Sequence, residues 1–387
     1  MLREISQHGP LPRIDLAERT GISRATVTAV TGELLRGGLI AEVPRDPQAD
    51  EAARGRPRVD LKIDGAAHLI AGLKVSDASI SLVLIDFNGV RVADHERPLP
   101  QPRLSPDRLT AEIAAGLDAL AVQVDRTRSD ISGVGVGLAG IVDAPHGLVY
   151  WSPSLDQRNV PFADVLTQGL GIPAYVDNDA NLVAKAEMIF GEGKDHSDFI
   201  VITIESGVGM GIVLGGQVYR GTRGCGAEFG HTKVQVDGAL CRCGQRGCLE
   251  AYVADYALVR EATSVGGVTL TASTAHAVNT ILTAAKSGDP TARMVIDRAG
   301  KMFAMGLANL VNIFDPELVI LAGEQMQFDH LYADAVIEEM QKGIVQIDKP
   351  APAVVVHKWD NLMWASGAAA HALDFVQDHA VTALQDG

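Results

Sequence analysis

The 387-residue chain is poor in the features that mark membrane, secreted or disordered proteins. No apolar run approaches the roughly 18–20 residues that span a bilayer, and the first residues carry no signal-peptide core. Cysteine is scarce: there are four, and three crowd together at Cys241, Cys243 and Cys248, unlike the framework of a disulfide-stapled domain. Charged residues make up only 21% beside 47% hydrophobic ones, which excludes a disordered chain and at this length supplies two or three cores. Basic residues are outnumbered, 33 against 48, so the molecule as a whole is no generic polyanion binder. The expected setting is the cytoplasm, with no membrane partner.

The charge is unevenly spread. Residues 1–62 hold ten Lys/Arg and nine Asp/Glu, whereas the remainder holds 23 and 39. Any nucleic-acid contact is therefore expected in the head.

Arg13–Thr20 reads as a short helix and Gly21-Ile22 as a tight turn. Ser23 then caps a second helix through about Arg36. Val27, Val30 and Leu34 form its apolar stripe, leaving Arg24, Thr26, Thr28 and Thr31 off it. Gly37-Gly38 stops the helix before a strand at Leu39–Val43. This is the order of a helix-turn-helix, whose second helix carries short polar side chains able to approach base edges in the major groove. Ser23, Arg24, Thr26 and Thr28 are the candidate DNA contacts. Pro44–Ala53 is polar and turn-rich, followed by Arg54-Gly-Arg56-Pro-Arg58 and the alternating Val59–Ile63, which suits a hairpin wing with a basic tip. Arg56 would enter a narrow minor groove. A helical hairpin with a solvated basic linker is the plainer alternative. Only Leu2–Gln7 precedes this support helix, so the usual first helix of such a head is expected to be short or the start site late.

From Leu69 the period changes to two. Strands are expected at 69–75, 80–84, 90–92, 133–137, 174–176, 199–203 and 318–321, alternating with helices at 107–124, 179–190, 291–313 and 331–343. The fold class is α/β, in two lobes.

In order along the chain come Gly137-Leu-Ala-Gly140, Asp177-Asn-Asp179-Ala-Asn181, Ser206-Gly-Val-Gly209, Glu228-Phe-Gly-His231, Cys241-Arg-Cys243-Gly-Gln-Arg-Gly-Cys248-Leu-Glu250 and Leu321-Ala-Gly323. Each is weak alone, and together they are specific. From about residue 10 to 375 the chain resembles the ROK family of repressors, open reading frames and sugar kinases, in its branch with a winged head. The resemblance implies an actin-like ATPase (ribonuclease H-like) body with a sugar site between two lobes. The expected domains are 1–63 for the winged helix-turn-helix, 64–190 for the first lobe joined by a C-terminal helix at 364–387, and 191–363 for the second.

Kinases of this family carry Asp-x-Gly-x-Thr on their first strand, around the ATP phosphates. Counting back from Asp86-Phe-Asn-Gly89, the corresponding positions are Lys74, Ser76 and Ala78. A cation replaces the metal-facing carboxylate, a Cβ stands where backbone must approach phosphate, and a hydroxyl is missing. Phosphoryl transfer rests on positioning and charge stabilisation, so its loss is expected and no catalytic residue is assigned.

Cys241-x-Cys243-x₄-Cys248 with His231 offers three thiolates and an imidazole, a closed tetrahedral set for one structural Zn²⁺ per chain. ROK proteins carry zinc on this pattern. Gly244 and Gly247 permit the tight reversal. Cys225 reads as a packed thiol. His231 has a second ring nitrogen to offer, with Glu228 three residues away.

The resemblance assigns sugar contacts to Asn178, Asp179, Glu228, His231 and Glu250, with Gly140 permitting close approach; Asp179 also suits a helix cap. Ala139 and Ser154 depart from the family's Pro and Asn. Hexose, pentose and amino sugar stay open.

The function expected is a sugar-responsive transcriptional repressor binding double-stranded operator DNA as a homodimer or dimer of dimers, with release on sugar by resemblance to the family's repressors. The alternatives are an ATP-dependent sugar kinase with an appended DNA-binding domain, and a metal-stabilised docking protein for a partner such as a phosphotransferase component.

Overall fold

The computed structural model describes residues 1–44, 59–224, 226–266, 273–323, 334–358, 360 and 362–386. The head comprises α1 (Leu2–His8), β1 (Leu11–Pro12), α2 (Arg13–Thr20), α3 (Arg24–Arg36), β2 (Ile40–Pro44) and β3 (Val59–Ile63). Gly21, at φ 67°, ends α2 in the left-handed conformation, and Ser23 starts α3 by accepting the Thr26 N–H at 3.2 Å. The strands pair in the order β1-β3-β2, with Ile40 opposite Ile63 and Pro44 opposite Val59. That is the stem of a wing. Its expected basic tip, Arg54–Arg58 with Arg56, lies outside the described residues.

One expectation for the head is corrected. Thr31 is wholly buried, while Val30 is only half-buried. The Thr31 hydroxyl donates to the Val27 carbonyl at 2.8 Å and accepts from Arg13 Nε at 3.0 Å, so its polarity is satisfied inside the helix pair.

Contacts divide the chain into one unit of Met1–Asp179 with Trp364–Gly387 and another of Ala180–Met363. In the first, β4 (Leu69–Val75), β5 (Ser79–Asp86), β6 (Arg91–Pro98), β7 (Ile131–Leu138) and β10 (Ala174–Asn178) form a sheet in the order β10-β7-β4-β5-β6. The strands β10, β7 and β4 run parallel, and β5 and β6 return antiparallel. A hairpin of β8 (Ile141–Asp143) and β9 (Leu148–Trp151) follows β7. Helices α4 (Pro106–Val122) and α5 (Phe162–Leu170) cover one face, burying Leu109, Ile113, Leu117, Phe162 and Leu166 with Val134 and Val136. The alternation in Gly133-Val-Gly-Val-Gly137 thus sends its valines to one core. Its glycines leave the other face bare for α12 (Met363–Asp386): a Cβ at Gly72 or Gly135 would strike the backbone of Ala369 or Ala368.

The second unit holds β11 (Phe199–Ile204), β12 (Val208–Leu214), β13 (Gln217–Tyr219), β14 (Leu318–Ala322) and β15 (Ala353–Val356) in the order β13-β12-β11-β14-β15. Its helices are α6 (Asp179–Phe190), α7 (Glu250–Val253), α8 (Asp255–Ser264), α9 (Thr274–Lys286), α10 (Pro290–Phe314) and α11 (Asp334–Gly343). The division falls at 179 and not at 190, because α6 packs on this unit's sheet: a Cβ at Gly211 would meet the Ala180 carbonyl and the Ala184 methyl at 2.5 and 2.6 Å. Among the described residues no helix is long and apolar enough to cross a membrane.

Because Gly135 touches α12 backbone, no side-chain rotation can make room for a larger residue. Gly135→Val should cost about 3 kcal/mol or more in chemical denaturation; a loss below about 1 kcal/mol would contradict this packing.

Candidate functional site

His231 closes the single turn Phe229–His231 and turns its Nδ1 toward Cys241 Sγ at 3.7 Å. Cys243 and Cys248 bring their sulfurs to 3.7 Å, and the four ligand atoms all lie within 4.8 Å of one another. A tetrahedral site with metal–sulfur bonds of about 2.3 Å has edges of roughly 3.7–3.8 Å, so the set fits a metal ion. The chain reaches this geometry through left-handed Gly244 (φ 86°) and Gly247 (φ 78°), with Leu240 bridged to Arg246 and Lys233 to Cys248. Cys241 and Cys248 are buried and Cys243 is exposed. Cys225 lies outside the described residues.

The electrostatics differ around the ring. Burial pushes the Cys241 thiol up to about 12, and the nearby Glu250 carboxylate adds to this. Lys233 Nζ donates to Cys248 Sγ at 2.9 Å, and that hydrogen bond holds the ammonium above its usual range. Sequence reasoning missed Lys233, because its contact depends on the bridge to Cys248 and no spacing announces it.

The other nitrogen of His231, Nε2, lies 3.9 Å from Glu228 Oε2. The tight turn between the two residues puts both on one side, and Glu228 is exposed. Glu250 opens α7 and is buried. Its Oε2 accepts the Val208 N–H at 3.4 Å, and its Oε1 faces Cys241 Sγ at 3.5 Å. One carboxylate thus joins the Ser206–Gly209 turn to the His/Cys₃ segment. Tyr256, also unforeseen, places its hydroxyl 3.2 Å from Glu250 Oε1; burial holds its ionisation well above the ordinary tyrosine range.

In the first unit, Asn178 Nδ2 donates to the Gly140 carbonyl at 2.9 Å, and Gly140 sits at φ 123° where a side chain would strike the Trp151 carbonyl. Asp179 starts α6 directly after β10. Ser154 is buried, with its N–H on Ser152 Oγ at 3.2 Å.

The degraded clamp has become a self-contained turn. Ser76 Oγ donates to the Ser79 carbonyl at 2.8 Å and accepts the N–H groups of Ser79 and Ala78 at 3.0 and 3.4 Å. The backbone donors of Ser76, Ala78 and Ser79 are thereby turned inward. Lys74 Nζ stands 3.6 Å over the Trp364 ring, a cation–π contact against a buried indole.

On α3, Ser23, Arg24, Thr26 and Thr28 are all exposed. The Thr28 hydroxyl gives its proton to the Arg24 carbonyl at 2.8 Å, and Thr26 Oγ1 lies 2.8 Å from Ser23 Oγ. Thr28 therefore faces outward with a methyl group and acceptor lone pairs, which suits a thymine methyl or a base amino group.

The chain matches the family model described as the ROK family over residues 70–374 and that of the MarR family over residues 1–47. It is 28% identical to a xylose repressor of Caldicellulosiruptor bescii, over 87% of this chain and 85% of that protein. It is 29% identical to an N-acetylglucosamine repressor of Escherichia coli O157:H7, over 86% and 82%. A glucokinase of Streptomyces coelicolor is 32% identical, over 78% of this chain and 96% of the enzyme. Among solved structures, a ROK family transcriptional regulator described as a homologue of the E. coli MLC protein aligns with a TM-score of 0.83 at 26% identity, covering 98% and 97% of the two chains.

Metal uptake must displace the proton of Cys241, whose thiol is held near 12. Apparent affinity should therefore rise with pH, by at least about tenfold per unit. Chelator competition at several pH values would show this, and a flat profile would exclude these thiols as ligands. Cys243→Ser should lose the metal together with about 3 kcal/mol or more of stability.

Proposed function

This chain belongs to the ROK family, and from that premise we propose that it is a sugar-responsive transcriptional repressor. The single observation that carries the regulatory reading is the closed Ser76 turn beside Lys74: the nucleotide-phosphate clamp is filled from within, while an intact helix-turn-helix precedes it. Restoring activity would need outward-facing backbone donors and a metal-binding carboxylate, and Ser76 and Lys74 supply neither. The protein is a regulator and not a sugar kinase.

In this reading α3 enters the major groove, with Ser23, Arg24, Thr26 and Thr28 at the bases, while Arg56 reaches the minor groove. Two copies read a palindromic operator, in the cytoplasm, as a homodimer or dimer of dimers. Zinc is the metal proposed for His231, Cys241, Cys243 and Cys248, where three sulfurs and one nitrogen leave no open position and the role is structural. The sugar contacts proposed are Asn178, Asp179, Glu228, His231 and Glu250, with backbone approach at Gly140. Relatives named as repressors of xylose and N-acetylglucosamine systems make those two sugars the first to test.

A sugar can change operator affinity only by binding two states of the protein unequally. A coupling of about 1–3 kcal/mol would change operator affinity roughly 5–150-fold, and operator DNA must change sugar affinity by the same factor. Release on sugar is the proposed sign. Thermal-shift measurements with D-xylose, N-acetyl-D-glucosamine and D-glucose test the reading first, since a ligand of the native state raises its melting point. Absence of any shift across the three would count against it.

Asp179→Asn should keep operator binding within about twofold and abolish the sugar response. Calorimetry with and without operator measures both halves of that expectation, and a retained response would remove Asp179 from the site. Thr28→Val should alter sequence preference, whereas Arg56→Ala should weaken binding to all operators alike.

With ATP, Mg²⁺ and D-glucose the wild-type protein should give no turnover. A rate of roughly 1 per second, ordinary for an enzyme, would overturn the regulatory reading. Lys74→Asp, Ser76→Gly and Ala78→Thr combined should restore at most a trace.

A further inference from the structure

Tyr256 belongs to none of the recurring motifs, yet it stands where the metal-ligating segment and Glu250 meet. Its hydroxyl lies 3.2 Å from Glu250 Oε1 and 3.6 Å from Cys241 Sγ, and it accepts the Arg242 N–H at 3.4 Å. The ring cannot easily swing away. The Arg242 guanidinium lies over it at 3.9 Å, and Arg260 at 5.8 Å. Arg260 is itself fixed, donating to the carbonyls of Leu240 and Ala251 at 2.7 and 2.6 Å. The hydroxyl is therefore aimed at one point.

That point needs a proton donor. The Cys241 thiol faces Glu250 Oε1 across 3.5 Å, a long contact from a weak donor. A buried carboxylate oxygen keeps its orientation only while a donor holds it. Glu250 Oε2 is already engaged with the Val208 N–H. The Tyr256 hydroxyl is the donor within reach.

We infer that Tyr256 is a positioning residue that holds Glu250 beside Cys241 in the orientation needed to meet a sugar hydroxyl. The inference rests on the assignment of Glu250 as a sugar contact. The candidate metal set and the proposed sugar contact are then joined through one phenol. A phenylalanine at this position keeps the ring between Arg242 and Arg260 and removes only the hydroxyl.

The test uses the full chain loaded with metal. Tyr256→Phe should retain about one metal ion per chain. Its affinity for D-glucose, D-xylose or N-acetyl-D-glucosamine, whichever the wild type binds by calorimetry, should fall roughly ten- to a hundredfold, as expected for losing a hydrogen bond to a charged group. On a Glu250→Gln background the same substitution should add nothing, a non-additivity that general loosening would not produce. Cobalt substitution gives a readout independent of sugar. The sulfur-to-cobalt charge-transfer band should shift in Tyr256→Phe, because Glu250 Oε1, 3.5 Å from Cys241 Sγ, has lost the donor that holds it. Wild-type sugar affinity in Tyr256→Phe, with affinity lost in Glu250→Gln, overturns the inference and leaves the sugar assignment standing. Unchanged affinity in Glu250→Gln overturns both, and an unchanged cobalt spectrum overturns the link to the metal.

Discussion

A sheet buried on both faces must be covered by two layers, and in the first unit the second layer fits only because three side chains are missing. Gly72, Gly133 and Gly135 lie under α12, two of them against its backbone and Gly133 against the Val376 methyl at 2.7 Å. In return α12 presents Ala365, Ala368, Ala369, Ala370 and Ala372, all fully buried. Small residues on both surfaces give a close approach in which each dispersion contact is weak and the sum is large. The same helix continues beyond the sheet, so that Leu384 fills the space beside Gly37 at the end of α3, where a Cβ would lie 2.8 Å from its Cδ1. Arg3 and Asp378 pair at 3.7 Å, but both are well exposed and add little. The DNA-binding head thus shares one helix as support with the sheet that carries Lys74 and Asn178.

The second unit depends on a different device. The segment between Phe229 and Glu250 has almost no regular secondary structure, and it brings together a His/Cys₃ set able to hold a metal ion where hydrogen-bond ladders are missing. The chemistry at its edge follows. Cys241 is buried and reluctant to ionise, Glu250 is buried beside it, and the Tyr256 hydroxyl donates to Glu250. Arg242 and Arg260 in turn fix the Tyr256 ring.

Loss of phosphoryl-transfer chemistry is likewise local. Ser76 uses its hydroxyl to satisfy the turn's own backbone, and Lys74 lies on Trp364. Neither change disturbs the pairing of β4 with β5 and β7, which runs unbroken from Ile70 to Val75. The fold could therefore keep its shape while the phosphate site closed.

Local rules made much of this legible in the sequence. Ser23 as a cap, Gly21 as a helix stop, the period-two strands and the His/Cys₃ spacing each state a constraint acting within a few residues, and each reappears in the structure. Misjudged residues had their fate decided from a distance. Thr31 looked like an outward-facing hydroxyl until Arg13, eighteen residues earlier, satisfied it in the core. The helix at 179–190 follows a first-lobe strand in sequence, but the glycine-lined surface of β12 draws it to the second unit. Lys233 and Tyr256 acquire their partners through a bridge and a helix break that no periodicity encodes. The sequence by itself determined the residue types available for metal, sugar and DNA, because capping, periodicity and ligand chemistry are short-range. Only tertiary packing decided which proton reaches Glu250 and which helix braces the head, because those depend on groups that meet only when the chain has folded.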